Sequence, residues 1–77
     1  MTTNDYLFTF ELTEGMDELD IHIDEEGLKH LYNILRRMKG SRSHESLLSE
    51  EFAGNDLSKH QQSENSVLIN KVTIHKW

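Results

Sequence analysis

Residues 24–40 are the one stretch of this 77-residue chain that reads as a long amphipathic helix, and the rest of the chain must supply a surface for it. Asp24 is a good N-cap, because its carboxylate can accept from the free amides of the first turn. Glu25 and Glu26 follow where the helix dipole favours negative charge, and Arg36, Arg37 and Lys39 sit where it favours positive charge. Gly40 can turn left-handed and end the helix. At about 100° per residue, Leu28, Leu31, Tyr32, Leu35 and Met38 share an arc of roughly 120°, with Ile34 at its edge. Lys29, Asn33, Arg36 and Arg37 lie opposite. A stripe of that width is expected to face a core.

The remaining residues offer strands. Tyr6, Phe8, Phe10 and Leu12 alternate with Leu7, Thr9 and Glu11, which predicts a first strand with its aromatic side buried. Residues 13–18 carry Gly15 and acids and read as a turn. Leu19, Ile21 and Ile23 alternate with Asp20, His22 and Asp24, predicting a second strand and an antiparallel hairpin. After the helix, residues 44–49 have Leu47-Leu48 as their only apolar pair and are assigned a short strand. Residues 50–57 are compact and irregular, with Phe52 and Leu57 able to dock on the core and Gly54 permitting a turn. Residues 58–66 are polar, without periodicity, and read as a surface loop. Residues 67–76 predict the last strand. Asn70 falls in its apolar phase, which signals a bulge or register change near Asn70-Lys71.

The predicted fold is therefore α+β with the order ββαββ: one domain spanning residues 1–77, with a loose terminus over residues 1–4. Its simplest form is a mostly antiparallel four-stranded sheet with one helix packed on one face. The inward set is Tyr6, Phe8, Phe10, Leu12, Leu19, Ile21, Ile23, Leu47 or Leu48, Leu68, Val72 and Ile74. The outward set is Leu7, Thr9, Glu11, Asp20, His22, Ile69, Lys71, Thr73, His75 and Trp77, a face left with no helix to cover it. Water or a partner can cover such a face, and Trp is a common interface anchor.

Composition limits the function. Eight Lys and Arg stand against fourteen Asp and Glu, a formal net charge of −6. That disfavours a general nucleic-acid binder, which would carry a basic surface, and suits a basic partner. There are no cysteines, so neither disulfides nor thiolate metal sites can hold so short a chain. No apolar run approaches the length of a membrane span, and the N-terminus lacks the apolar region of a secretory signal. The expected location is the cytoplasm.

No motif points to catalysis. The five histidines, His22, His30, His44, His60 and His75, have no compact metal spacing, and a zinc site needs three or four converging ligands. The Gly-x-Ser-x-Gly elbow and the phosphate-binding Gly-x-x-x-x-Gly-Lys loop are both absent from the sequence. The acid pairs Asp17-Glu18, Glu25-Glu26 and Glu50-Glu51 diverge in a strand or helix. No cofactor and no enzyme activity is expected. Arg36, Arg37, Lys39 and Arg42 form a basic cluster, but helix polarity explains three of them.

Three runs carry a resemblance. Asp24-Glu25-Glu26-Gly27-Leu28-Lys29-His30-Leu31 resembles a D-x-x-G-L-x-x-L helix start. Residues 44–58, His-Glu-Ser-Leu-Leu-Ser-Glu-Glu-Phe-Ala-Gly-Asn-Asp-Leu-Ser, resemble the pattern H-x-H-L-x-S-E-x-W-G-G-x-x-L-S. Asn70-Lys71-Val72-Thr73-Ile74 resembles the closing strand. Together, over most of residues 18–76, the chain resembles small bacterial immunity proteins that accompany polymorphic toxins, including contact-dependent growth inhibition systems. Ser46 stands where the pattern has a second histidine, and Phe52 and Ala53 replace Trp and Gly.

The resemblance implies a non-catalytic cytoplasmic protein that binds and neutralises one cognate toxin domain. The acidic balance makes a nuclease the expected toxin, blocked at its active site or substrate groove. Candidate toxin-binding residues are Glu50, Glu51 and Asp56 after the third strand, with Asp20, His22, Lys71, His75 and Trp77 on the outer sheet face. No nucleic acid or membrane is an expected partner. The alternative is a homo-oligomeric interaction module, such as a homodimer, using the outer sheet face or the last strand's edge.

Overall fold

A computed structural model describes residues 6–77, so the terminus expected over residues 1–4 lies outside the described residues. The elements follow the expected order as far as the third strand, and the single last strand expected over residues 67–76 is two: β1 (Phe8–Thr13), β2 (Leu19–Ile23), α1 (Glu25–Arg37), β3 (Ser43–Leu48), a 3-10 turn (Glu50–Phe52), β4 (Ser66–Leu68) and β5 (Lys71–Lys76). The class is α+β with antiparallel pairing throughout. None of the helices among the described residues is long and apolar enough to cross a membrane.

The four-stranded sheet is divided. One sheet has the order β2-β1-β4 and the other pairs β3 with β5. The division falls where the sequence shows its irregularity. The Ile69 amide donates to the Phe10 carbonyl at 2.9 Å, and the Asn70 carbonyl accepts from the Ser49 amide at 3.0 Å. The last strand thus leaves one sheet and joins the other across Ile69-Asn70. Side-chain phase changes there too. Leu68 lies opposite Glu11, on the outer side, while Ile69, Val72 and Ile74 all pack against the core. Ile69 to Val72 is an odd step, which period two alone cannot accommodate. The expected inward Leu68 and outward Ile69 are therefore exchanged.

The helix is capped as its sequence requires. Asp24 Oδ1 accepts from the Gly27 amide at 2.8 Å, and Oδ2 accepts from the Leu7 amide at 2.9 Å. These N–H groups, Gly27 first and then Leu7, hold the Asp24 carboxyl below its ordinary value. Gly40 closes the far end at φ 98°, in the left-handed region. The buried face, however, is rotated from expectation. Gly27, Ile34 and Met38 are buried, whereas Leu28, Tyr32 and Leu35 are exposed. Ile34 lies at the centre of the contact, not its edge. Gly27 brings the first turn against β1, since a Cβ there would overlap the Leu7 carbonyl oxygen. On the same side, His30 meets Asp56 at 2.8 Å, and Arg37 donates to Glu45 at 3.1 Å. Those contacts fix the helix roll and turn its Leu28-Tyr32-Leu35 flank outward.

The core consists of Phe8, Phe10, Ile34, Met38, Leu47 and Leu57, with Tyr6, Ile23, Leu31, Ile69, Val72 and Ile74 packed around it. A 13-residue helix is only about 20 Å long, and it covers the Phe8-Phe10 end of the sheet. Leu19 and Ile21, expected inside, remain about half exposed. The opposite side of β1 is covered instead: Thr9 and Glu11, expected outward, are fully buried. Residues 62–63 cross them and donate two backbone N–H groups to the Glu11 carboxylate, at 2.8 and 2.9 Å.

Candidate functional site

The sequence-selected residues fall into separate places. Asp20 and His22 lie on β2, opposite Glu11 and Thr9. His22 Nε2 is 3.9 Å from Glu11 Oε1, a charge contact beyond hydrogen-bond distance. Lys71 and His75 lie on the other sheet, opposite Leu48 and His44. The His44 and His75 rings are 5.8 Å apart. Trp77, at 84% the most exposed large apolar residue among the described residues, lies beneath the Arg42 guanidinium, whose carbon is 5.8 Å from the ring centroid. The outer face expected to unite His22, Lys71, His75 and Trp77 is therefore split between two sheets. Within the second sheet, Lys71, Thr73 and His75 do share one side by their alternation.

The acidic segment is partly structural. Glu50 Oε1 accepts from Lys59 Nζ at 3.3 Å on the surface, and Glu51 is exposed beside it. Asp56 is committed to the fold: Oδ1 contacts His30 Nε2 at 2.8 Å, and Oδ2 accepts from the Leu48 amide at 3.1 Å. That division of labour disfavours Asp56 as a free contact residue.

Glu11 is a buried acid that alternation placed outward. Thr9 Oγ1 donates to it at 2.7 Å, alongside the Gln62 and Ser63 amides. Burial pushes its pKa up. The Gln62 N–H, the Thr9 hydroxyl, the Ser63 N–H and the nearby His22 overcome that and hold it below its ordinary value. With these donors satisfied, the carboxylate acts as an anchor for the loop across β1. Among the described residues, no three or more His, Cys, Asp or Glu side chains gather where they could hold a metal ion.

What the structure leaves open is the helix side. Leu19 and Ile21 of β2, Val67 of β4, and Leu28, Tyr32 and Leu35 of α1 are each between 45% and 62% exposed. Leu19, Ile21 and Val67 share the side of the first sheet that carries Phe8, Phe10 and Leu12, as their pairing requires. Two open clefts follow the helix flank and meet at Tyr32. One, of about 480 Å³, includes Glu25, Leu28 and Asn33. The other, of about 650 Å³, includes Leu35, Met38 and Ile74, with Arg36, Lys39 and Lys76 around it. Apolar side chains in shallow, charged-edged clefts can bind a macromolecule. The sequence pattern assigns Leu19, Ile21, Leu28, Tyr32 and Leu35 to the core, while Val67 falls in the outer phase of the last strand. The available signal was the helix arc itself, which is wider than the contact that Gly27, Ile34 and Met38 can make.

The turn that leads into the β2 part of this surface is acidic. Leu19 and Ile21 alternate with Glu18 and Asp20, next to a turn carrying Glu14 and Asp17. No family model matches this chain, and searches of curated proteins and of solved structures also give no match.

Proposed function

We propose that this is a cytoplasmic immunity protein, which binds a cognate bacterial toxin domain and blocks it without catalysis. The observation that carries the reading is the uncovered pair Leu19 and Ile21, which follows the exposed acids Glu14, Asp17 and Glu18 of the preceding turn. An apolar centre with an acidic edge is suited to the substrate groove of a nuclease, which is cationic because nucleic acid is anionic. Acidic residues would speed encounter, and the apolar pair would hold the complex.

The residues behind the family resemblance support this reading in a second way, because they have physical work in this fold. Leu47 and Ser49 are fully buried, as are, nearly, Leu57 and Ser58. Ser49 Oγ donates to Asn70 Oδ1 at 2.7 Å, and Ser58 Oγ accepts from the Phe8 amide at 2.9 Å. Ala53, where the pattern has the first glycine, adopts φ 64°. Gly54, the second, lies so close to Leu48 that a Cβ would overlap that side chain. Residues 53–58, which carry part of the resemblance, thus hold a constrained backbone in this fold.

The test is to mix the protein with the toxin domain encoded immediately upstream, measuring binding by calorimetry and residual nuclease activity. A complex of micromolar affinity or tighter, with activity lost in proportion to occupancy, is the expected result. Binding without inhibition, or no complex, overturns the reading.

A further inference from the structure

We propose that α1 pairs with α1 of a second copy of this chain, antiparallel, about a twofold axis through Tyr32. The argument starts from spacing. Glu25, Leu28, Tyr32, Leu35 and Lys39 follow one another at alternating steps of three and four, the spacing of a helix-pairing seam. At about 100° per residue they occupy an arc of roughly 80°. This arc is the flank that the helix roll turns away from the core, and Leu28, Tyr32 and Leu35 on it are 48%, 62% and 45% exposed.

The charges select both the occupant and its direction. Lys29 is paired with Glu26, and Arg37 with Glu45. Glu25, Arg36 and Lys39, which border the seam, have no ion pair among the described residues. Glu25 stands seven residues before Tyr32, about 10.5 Å along the axis, and Lys39 stands seven after it, in the turn just past α1 whose amide bonds back to the Arg36 carbonyl. A twofold axis at Tyr32 sets Glu25 of each copy level with Lys39 of the other. The same operation sets Leu28 level with Arg36 of the other copy, so that the Arg36 stem lies across it and Leu35, one residue away, packs beside it. Parallel pairing would instead oppose Glu25 to Glu25 and Lys39 to Lys39. Antiparallel helix dipoles add to the preference. The seam is short, so association in the micromolar range is expected. It leaves Leu19 and Ile21 out of the seam and does not depend on the toxin reading.

The test uses the whole protein by sedimentation equilibrium across micromolar to millimolar concentration. The expected mass rises from the 9.0 kDa monomer to twice that value. Tyr32→Glu should remain monomeric throughout with an unchanged melting temperature. Glu25→Lys and Lys39→Glu should each weaken dimerisation roughly tenfold, by opposing like charges. Combining the two should restore it, because both cross-pairs are re-formed in reverse. A monomer at every concentration overturns the proposal. So does a dimer that survives Tyr32→Glu, or single charge variants that the combination fails to rescue; the last two would place the contact on another surface.

Discussion

The Asp56 carboxylate touches His30 Nε2 at 2.8 Å with one oxygen and accepts the Leu48 amide at 3.1 Å with the other. One side chain therefore joins the helix, the end of β3 and the segment that follows. Asp56→Ala should lower stability by about 1–3 kcal/mol, since it removes both partners and leaves a partly buried amide unpaired. Urea denaturation measures this, with an unchanged slope expected if the native and denatured states keep their compactness.

Glu11 and Asp24 set the response to acid. Both carboxyls are held below their ordinary values of 4.5 and 3.8 in the folded chain. The unfolded chain therefore takes up protons first as pH falls. Their stabilising contribution is complete above the ordinary carboxylate range and is lost as pH drops through the lowered values. Glu11→Gln should cost about 2–3 kcal/mol at neutral pH, where it weakens charge-assisted bonds to Thr9, Gln62 and Ser63. The difference from the parent protein should shrink in acid, where the parent's own carboxylate becomes protonated. Thermal melting across the acid range separates this from a penalty of constant size, which would mean a packing defect.

Residues 53 and 54 should respond in opposite directions. Ala53 holds a left-handed conformation that costs an L residue more than glycine, so Ala53→Gly should gain about 0.5–1 kcal/mol. Gly54→Ala should lose about 1–3 kcal/mol, because Leu48 must move to admit a methyl group. Paired denaturation curves test both. A stabilised Gly54→Ala variant would show that this approach is looser than described.

Ile21→Lys should weaken toxin binding by tenfold or more while leaving the melting temperature within a few degrees. It places a cation in a half-exposed apolar patch beside an acidic turn, outside the buried core. Titrating the toxin domain with this variant, with Trp77→Ala alongside, distinguishes the β2 surface from the β5 end. A loss confined to Trp77→Ala would move the interface to the second sheet.

Local sequence chemistry carried the helix limits, the Asp24 cap, the Gly40 stop and the β1–β2 pairing. It also located the irregularity at Asn70, because a polar residue in an apolar phase is visible in one strand alone. Helix roll was not legible. The arc containing Leu28, Tyr32 and Leu35 looks as apolar as the one containing Ile34 and Met38. The choice between them is made by Gly27 against Leu7 and by His30 against Asp56, both contacts between distant residues. Burial of Glu11 was hidden for a similar reason. Alternation separates the two sides of β1, but it says nothing of a polar loop some fifty residues onward that supplies backbone donors. Of the candidate contact residues, Asp56 stands out in the sequence by its charge alone, and only the tertiary structure shows how that charge is used.

The passage of the last strand between two sheets also imposes an order on folding. Residues 6–37 can build the hairpin and helix from near neighbours alone. Sheet β2-β1-β4 is closed only by pairing β1 with Ser66–Leu68, and the same late segment delivers the donors that Glu11 needs. Closing loops of that length slows folding. On a translating ribosome, residues 6–37 would wait with Glu11 in water until residues 62–68 had emerged.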